Sequence, residues 1–295
     1  MRNGVIGAAS AMFLVGTLAA VSGVIQDYPV YGGQAVRYLA AAVILLAATR
    51  MAGHRFVKLT ARETLLLIGL SVFGLVIFNV CVIEATRHAG PALPGTVLGT
   101  VPLVLALAGG RPAPRLLVGA GVVVAGATLA AGLGSGDLPG LLWSLGALVG
   151  EVSFSMLAIP LLPKLGAMRV SAYSTALAVP LLAVIGLVVE GPAMLRTPTL
   201  AEGLGFAYLA VVVTTIAFFL WYSSLPKLGP GRAGLFAGLI PVGAIVTGLA
   251  LGVAVPTTPD LLGATLVIAG IVVGLSGGAR YADAGGVPLP ATGRS

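Results

Sequence analysis

The chain has 295 residues, 58% of them apolar and only 8% charged, with a mean hydropathy of +1.09. About a quarter of an ordinary soluble domain is charged, so a water-soluble fold is excluded and an all-α integral membrane protein is expected. The formal charge of +7 would suggest nucleic acid in a soluble protein, but here the basic residues stand in short clusters between apolar runs. They report orientation in a bilayer, and no nucleic-acid partner is expected.

A helix needs about 20 apolar residues to cross a bilayer, and ten runs qualify: 4–25, 31–49, 64–83, 92–109, 116–133, 139–159, 170–189, 203–224, 233–253 and 259–276. The first begins like a signal peptide, but it is long enough to span and nine similar runs follow, so it is read as an uncleaved helix. Runs four and five are short and Gly-rich. Basic residues in short loops face the cytoplasm. With the N-terminus inside, Arg2, Arg50, Arg55, Lys58, Arg62, Arg111, Arg115, Lys164, Arg169, Lys227, Arg232, Arg280 and Arg294 fall inside, and only Arg87 and Arg196 outside. Asp27, Asp137, Glu190, Glu202 and Asp260 take the opposite side. Both termini are therefore expected in the cytoplasm.

Run four opens on Gly90-Pro91, with Gly95, Gly99 and Pro102 at fixed spacing; run nine opens on Gly229-Pro230, with Gly234, Gly238 and Pro241. All five positions recur at one offset of 139 residues (90 to 229). The unit between the copies holds five helices, and an odd number inverts the second copy. The expected fold is thus ten transmembrane helices as two inverted five-helix repeats, 1–134 and 135–278, with a disordered cytoplasmic tail at 279–295. Such repeats are a recurrent plan of secondary transporters, with substrate bound near the midplane. In the tail, Leu289-Pro290-Ala291-Thr292-Gly293 resembles a sortase signal but lacks the apolar span that must follow one, and is read as coincidence.

The glycines Gly95, Gly99, Gly234 and Gly238 give bare helix faces that other backbones can approach. Pro102 and Pro241 fall near mid-span and bend their helices. Together these six are read as shaping a cavity and its hinges. Ionisable groups inside a membrane are costly and mark function by default. Glu151 lies deepest, where desolvation disfavours its charge unless a cation pairs with it, so it suits proton exchange or an amine. Arg37 lies nearer the outer side, within reach of Glu84 and Glu151; a structural ion pair with either, snorkelling to the outer interface and a substrate role all stay open. Asn79, Thr96, Thr100, Ser155, Thr214 and Thr215 are mild polar groups at cavity depth, each also able to bond within its own helix. Trp143, Trp221 and Tyr222 are expected in the interfacial belt. Cys81 is the lone cysteine, which excludes an internal disulfide and argues against a Cys-based metal site. No nucleotide-binding loop, nucleophile–base pair or metal-ligand pair stands out, so no cofactor, metal or enzymatic activity is expected.

Several segments resemble the EamA type of the drug/metabolite transporter superfamily. They are Arg37-Tyr38, the stretch 85–92, Pro102, Pro241, Leu261-Leu262-Gly263-Ala264 and Ile268-Ala269-Gly270. The resemblance covers Gly4 to about Gly278. It departs at Gly110-Arg111 and Gly252-Val253, where the family often has Gly-Glu, and Glu84 and Glu151 are not general acids of the family. The resemblance implies a central cavity between halves and a plasma-membrane exporter of small metabolites such as amino acids, working by alternating access, with a proton as partner if transport is coupled. The alternatives are a multidrug or cationic-compound exporter and, less favoured, a membrane-embedded enzyme. Monomer or homodimer is left open.

Overall fold

The computed structural model describes residues 1–18, 21, 23–53, 57–90, 92–132, 137–252 and 255–276. The tail 277–295, His54, Arg55, Pro91 and Val253 lie outside them. The helices, in chain order, are α1 (Arg2–Gly16), α2 (Val30–Met51), α3 (Ala61–Ala89), α4 (Ala92–Ala108), α5 (Pro114–Ala131), α6 (Leu138–Met156), α7 (Leu162–Glu190), α8 (Leu200–Leu228), α9 (Pro230–Ala250) and α10 (Thr258–Leu275). Among the described residues, eight of them (α2, α3 and α5 to α10) are long and apolar enough to cross a membrane. The chain is an all-α, multi-pass membrane protein.

Two expected spans fall short by that measure. In the first, α1 ends at Gly16, where the Thr17 hydroxyl donates back to the Leu14 carbonyl at 2.6 Å, and residues 19, 20 and 22 lie outside the described ones. In the fourth, α4 is interrupted at Gly99-Thr100, between Ala92–Leu98 and Val101–Ala108. Pro102 has no N–H for the carbonyl four residues earlier and its ring crowds that turn, so the helix restarts instead of bending smoothly. At the matching place α9 tightens into a 3-10 stretch, Leu235–Gly238, just ahead of Pro241.

Helix starts follow from the sequence. Thr60 with Glu63, Thr199 with Glu202 and Thr257 with Asp260 form reciprocal capping boxes at α3, α8 and α10, each satisfying two N–H groups that a helix start leaves unpaired. Asp137 accepts from the Gly140 N–H at 2.8 Å to open α6. Gly90 and Gly229 adopt φ of 68° and 75° where α3 turns into α4 and α8 into α9, a backbone that glycine takes without strain.

The Gly/Pro offset extends into structure. The boxes at Thr60 and Thr199, the left-handed Gly90 and Gly229, and two π-helical stretches, Leu70–Ile77 inside α3 and Leu209–Ile216 inside α8, recur at that same spacing.

The most extensive packing joins α5 with α10, α2 with α7, α3 with α6, and α1 with α8. Lipid tails are as apolar as leucine, so close packing and not apolar burial holds such a bundle. The α5–α10 seam is therefore built of glycine: a methyl group on Gly126 would lie 2.6 Å from the Gly263 carbonyl, and one on Gly270 2.7 Å from that of Gly119. Gly16 and Gly243 bring α1 and α9 backbone to backbone in the same way. Outside, Leu142, Val184, Val188, Leu204, Leu261 and Val272 stay exposed; this apolar coat suits lipid and would be a liability in water.

Basic and acidic residues separate to opposite ends. At one end Lys164 pairs with Glu63 at 2.6 Å, Gly4 packs on Lys227, and Gly109 on Pro230. At the other, the Tyr31 hydroxyl donates to Glu84 at 2.9 Å, Glu84 pairs with Arg87 at 2.8 Å, and Glu190 accepts from the Tyr31 and Gly32 N–H groups at 2.9 Å each. The acidic end is also laced by Arg196, which pairs with Glu202, donates to the Asp27 carbonyl at 3.3 Å and lies over the Tyr28 ring. Bonding to Glu202 holds the Arg196 guanidinium above its ordinary pKa.

Candidate functional site

Four helices place polar side chains in the middle of the bundle: α2 brings Arg37 and Tyr38, α3 Asn79, α6 Glu151 and Ser155, and α8 Thr214, Thr215, Trp221 and Tyr222. Arg37 is 5% exposed. Its Nε donates to the Thr214 hydroxyl at 2.7 Å, its Nη1 to Gln34 Oε1 at 3.3 Å, and the guanidinium lies 5.4 Å from the centre of the Tyr38 ring. Of the alternatives open for Arg37, an ion pair with Glu84 or Glu151 is not present among the described residues. Glu84 is engaged at the acidic end with Tyr31 and Arg87, and Arg37 turns instead to the π-helical stretch of α8.

That stretch explains two hydroxyls. Thr214 donates to the carbonyl of Leu209, five residues back, at 2.9 Å. Its lone pairs remain for Arg37. Thr215 Oγ1, one residue on, is buried without a hydrogen-bond partner among the described residues, although a helical threonine ordinarily bonds within its own helix. π-helical turns of this kind are frequent at functional sites.

Glu151 lies deep in the protein and yet keeps part of its surface accessible. Among the described residues its carboxyl has no hydrogen-bond or ion-pair partner. Tyr222 is within electrostatic reach of both Glu151 and Tyr38, and the Asn79 amide donates to the Tyr38 hydroxyl at 3.1 Å and to the Leu75 carbonyl at 2.6 Å. Tyr38 and Tyr222 thus connect the surroundings of Arg37 to those of Glu151.

The belt expectation for Trp221 and Tyr222 is overturned. They are 1% and 0% exposed. The Trp221 indole donates to Ser155 Oγ at 3.2 Å and the Tyr222 hydroxyl to the Phe154 carbonyl at 3.3 Å. α8 continues to Leu228, so both residues fall inside it, against α6. The aromatic residues were the signal for this, since Phe154, Phe218 and Tyr222 form one cluster with ring centroids 4.8 to 6.3 Å apart. Trp143, 37% exposed, stays accessible.

The other candidates lie apart from this group. Thr100 donates to the Val97 carbonyl at 2.7 Å, within its own helix, and Thr96 to the Gly132 carbonyl at 2.8 Å. A methyl group on Gly95 or Gly99 would lie 3.3 Å from Ala131 or Ala127 of α5. Gly234 faces Leu105 of α4, and Gly238 packs on Val123 of α5 and Val267 of α10. Pro102 is buried and Pro241 half-buried. The first copy of the motif is half-accessible at Gly95 and Gly99, and the second is packed at Gly234 and Gly238. Among the described residues no cluster of three or more His, Cys, Asp or Glu could hold a metal ion.

Residues 138–275 match the model of the EamA-like transporter family. Over 251 residues the chain is 26% identical to a Bacillus subtilis (strain 168) protein described as the uncharacterized transporter YetK, a match covering 81% of this chain and 76% of that relative. A protein of known crystal structure shares the fold with a TM-score of 0.82 and 21% identity, over 94% of this chain and 97% of the other. The family model falls on α6 to α10, and the relative and the shared fold extend the likeness across the remaining helices, so the chain is similar to EamA-like transporters.

Proposed function

We propose that the protein transports a zwitterionic small metabolite of the amino-acid type, exported by alternating access of two inverted five-helix halves. One observation carries the substrate class. Among the described residues, Arg37 has no carboxylate partner and Glu151 no cation partner, although both lie within the bundle. Charges inside a membrane ordinarily pair with one another. A ligand that carries both signs resolves both at once, its carboxylate at Arg37 and its ammonium at Glu151. Glu151 is also the group that would exchange a proton if transport is proton-coupled.

Support for inverted halves comes from packing. If α1 to α5 correspond to α6 to α10, a twofold operation exchanges the α1–α8 contact with α3–α6, and carries α2–α7, α4–α9 and α5–α10 onto themselves. The observed packing follows that scheme, and the paired caps and π-helical turns agree with it. The segregated charge supports an orientation with the basic end toward the cytoplasm, with both termini there in a plasma membrane.

A second reading, export of organic cations, draws on the aromatic cluster beside Glu151, since aromatic faces attract cations. Those rings are packed, with Phe154 at 6% and Phe218 at 8% exposed, and an unpaired buried Arg37 repels a cation. The zwitterion is preferred. Counterflow in proteoliposomes loaded with amino acids, simple amines or simple carboxylates separates the two readings. Exchange confined to amino acids is expected; exchange confined to amines favours the cation reading.

A further inference from the structure

A second charged feature lies away from the membrane interior and is independent of the transport reading. At the basic end, a cavity of about 230 Å³ opens where the α4–α5 connection meets the α8–α9 connection and the end of α10. Arg111 lines it from the first connection, Arg115 from the start of α5 and Arg232 from the start of α9, and Gly109, Pro230 and Gly231 line it as well. No acid lines it. None of the three arginines takes part in an ion pair among the described residues. Three guanidinium groups facing one cavity repel one another, whereas each is built to bind the oxygens of a tetrahedral anion in a fork.

The walls add to this potential. Arg115 and Leu116 on the cavity belong to the first turn of α5, an 18-residue helix opened by Pro114 after Ala113, which also lines the cavity and gives no side-chain cap. The positive end of the α5 dipole therefore lies beside the cavity. The glycines on the cavity are close-set: a methyl group on Gly109 would lie 3.0 Å from Pro230, and one on Gly231 3.2 Å from Ala106. Small residues thus line the cavity beside the three arginines.

We infer that this cavity is a binding site for a phosphate group, presented by an anionic lipid headgroup or by a soluble phosphate. The anion relieves the repulsion among Arg111, Arg115 and Arg232. It also ties the α4–α5 connection to the start of α9 across the seam where α4 meets α9. Basic pockets between helices at the cytoplasmic face are the places where anionic headgroups bind.

The test uses full-length protein stripped of lipid in a neutral detergent, followed by thermal unfolding. The probes are inorganic phosphate, nanodiscs of phosphatidylglycerol and nanodiscs of phosphatidylcholine. Wild type is expected to gain at least about 2 °C in midpoint with phosphate, or in phosphatidylglycerol relative to phosphatidylcholine. A gain with phosphate assigns a soluble ligand, and a gain confined to phosphatidylglycerol assigns the lipid. The variant Arg111→Gln/Arg115→Gln/Arg232→Gln should lose the gain, and Arg232→Gln alone, the milder change, should reduce it. A control, Arg2→Gln/Lys58→Gln/Arg62→Gln, removes the same charge elsewhere at the basic end and should retain it. The inference is overturned if neither probe shifts wild type, if the cavity variants keep the full gain, or if the control loses it to the same extent.

Discussion

The Arg37 Nε donates to the Thr214 hydroxyl at 2.7 Å, and that hydroxyl donates in turn to the Leu209 carbonyl five residues back. A cation of α2 is therefore held by a π-helical turn of α8. Thr214→Val removes the acceptor and leaves the buried Nε unsatisfied, at a cost of about 1–3 kcal/mol. A lower midpoint in thermal unfolding is expected, with Thr214→Ser close to wild type. Equal midpoints for Val and Ser would show that the hydroxyl is dispensable.

The α5–α10 seam permits a sharper packing test. Gly126→Val would drive side-chain atoms into the Gly263 carbonyl and the Val267 N–H, which a Cβ would already meet at 2.6 and 2.8 Å. Overpacking of this kind costs about 1–3 kcal/mol or more. Gly121 is on the same helix with nothing within 4 Å of the equivalent position, so Gly121→Ala should be near neutral. Detergent-solubilised protein compared by size-exclusion profile and unfolding midpoint gives the answer, and a well-folded Gly126→Val protein contradicts the seam as described.

At the acidic end, Glu190 closes the start of α2 by accepting from two backbone N–H groups at 2.9 Å each. Glu190→Ala frees both donors beside the positive end of the helix and should cost about 1–2 kcal/mol. Hydrogen exchange localised to the first turn of α2 should quicken. No change there would mean that water replaces the carboxylate without loss.

The extent of the bundle was legible because its signals are local. Apolar runs, capping boxes and prolines each act within one or two turns, and the Gly/Pro spacing exposed a recurrence that the structure extends to caps and π-helical turns. Trp221 and Tyr222 were misplaced because a span of fixed length ends near them, whereas α8 runs on to Leu228. Arg37 stood out in the sequence, but its partner did not. Depth along a helix is readable from sequence, but rotation about its axis is not, and rotation is what turns Arg37 toward Thr214 and away from the acids. The unpartnered Thr215 hydroxyl arises from a π-helical register that apolar periodicity does not reveal.

The central claim is that Arg37 and Glu151 hold opposite ends of one zwitterion. Its most direct test is amino-acid counterflow in proteoliposomes by wild type, Arg37→Gln and Glu151→Gln, each first shown to be folded by its unfolding midpoint. Losing a charge-assisted hydrogen bond worth about 1.5–3 kcal/mol should weaken the apparent affinity of the zwitterion about tenfold or more in each variant. The esterified substrate, which lacks the carboxylate, should lose its sensitivity to Arg37→Gln and keep its sensitivity to Glu151→Gln. Wild-type counterflow of the amino acid in both folded variants would contradict the account.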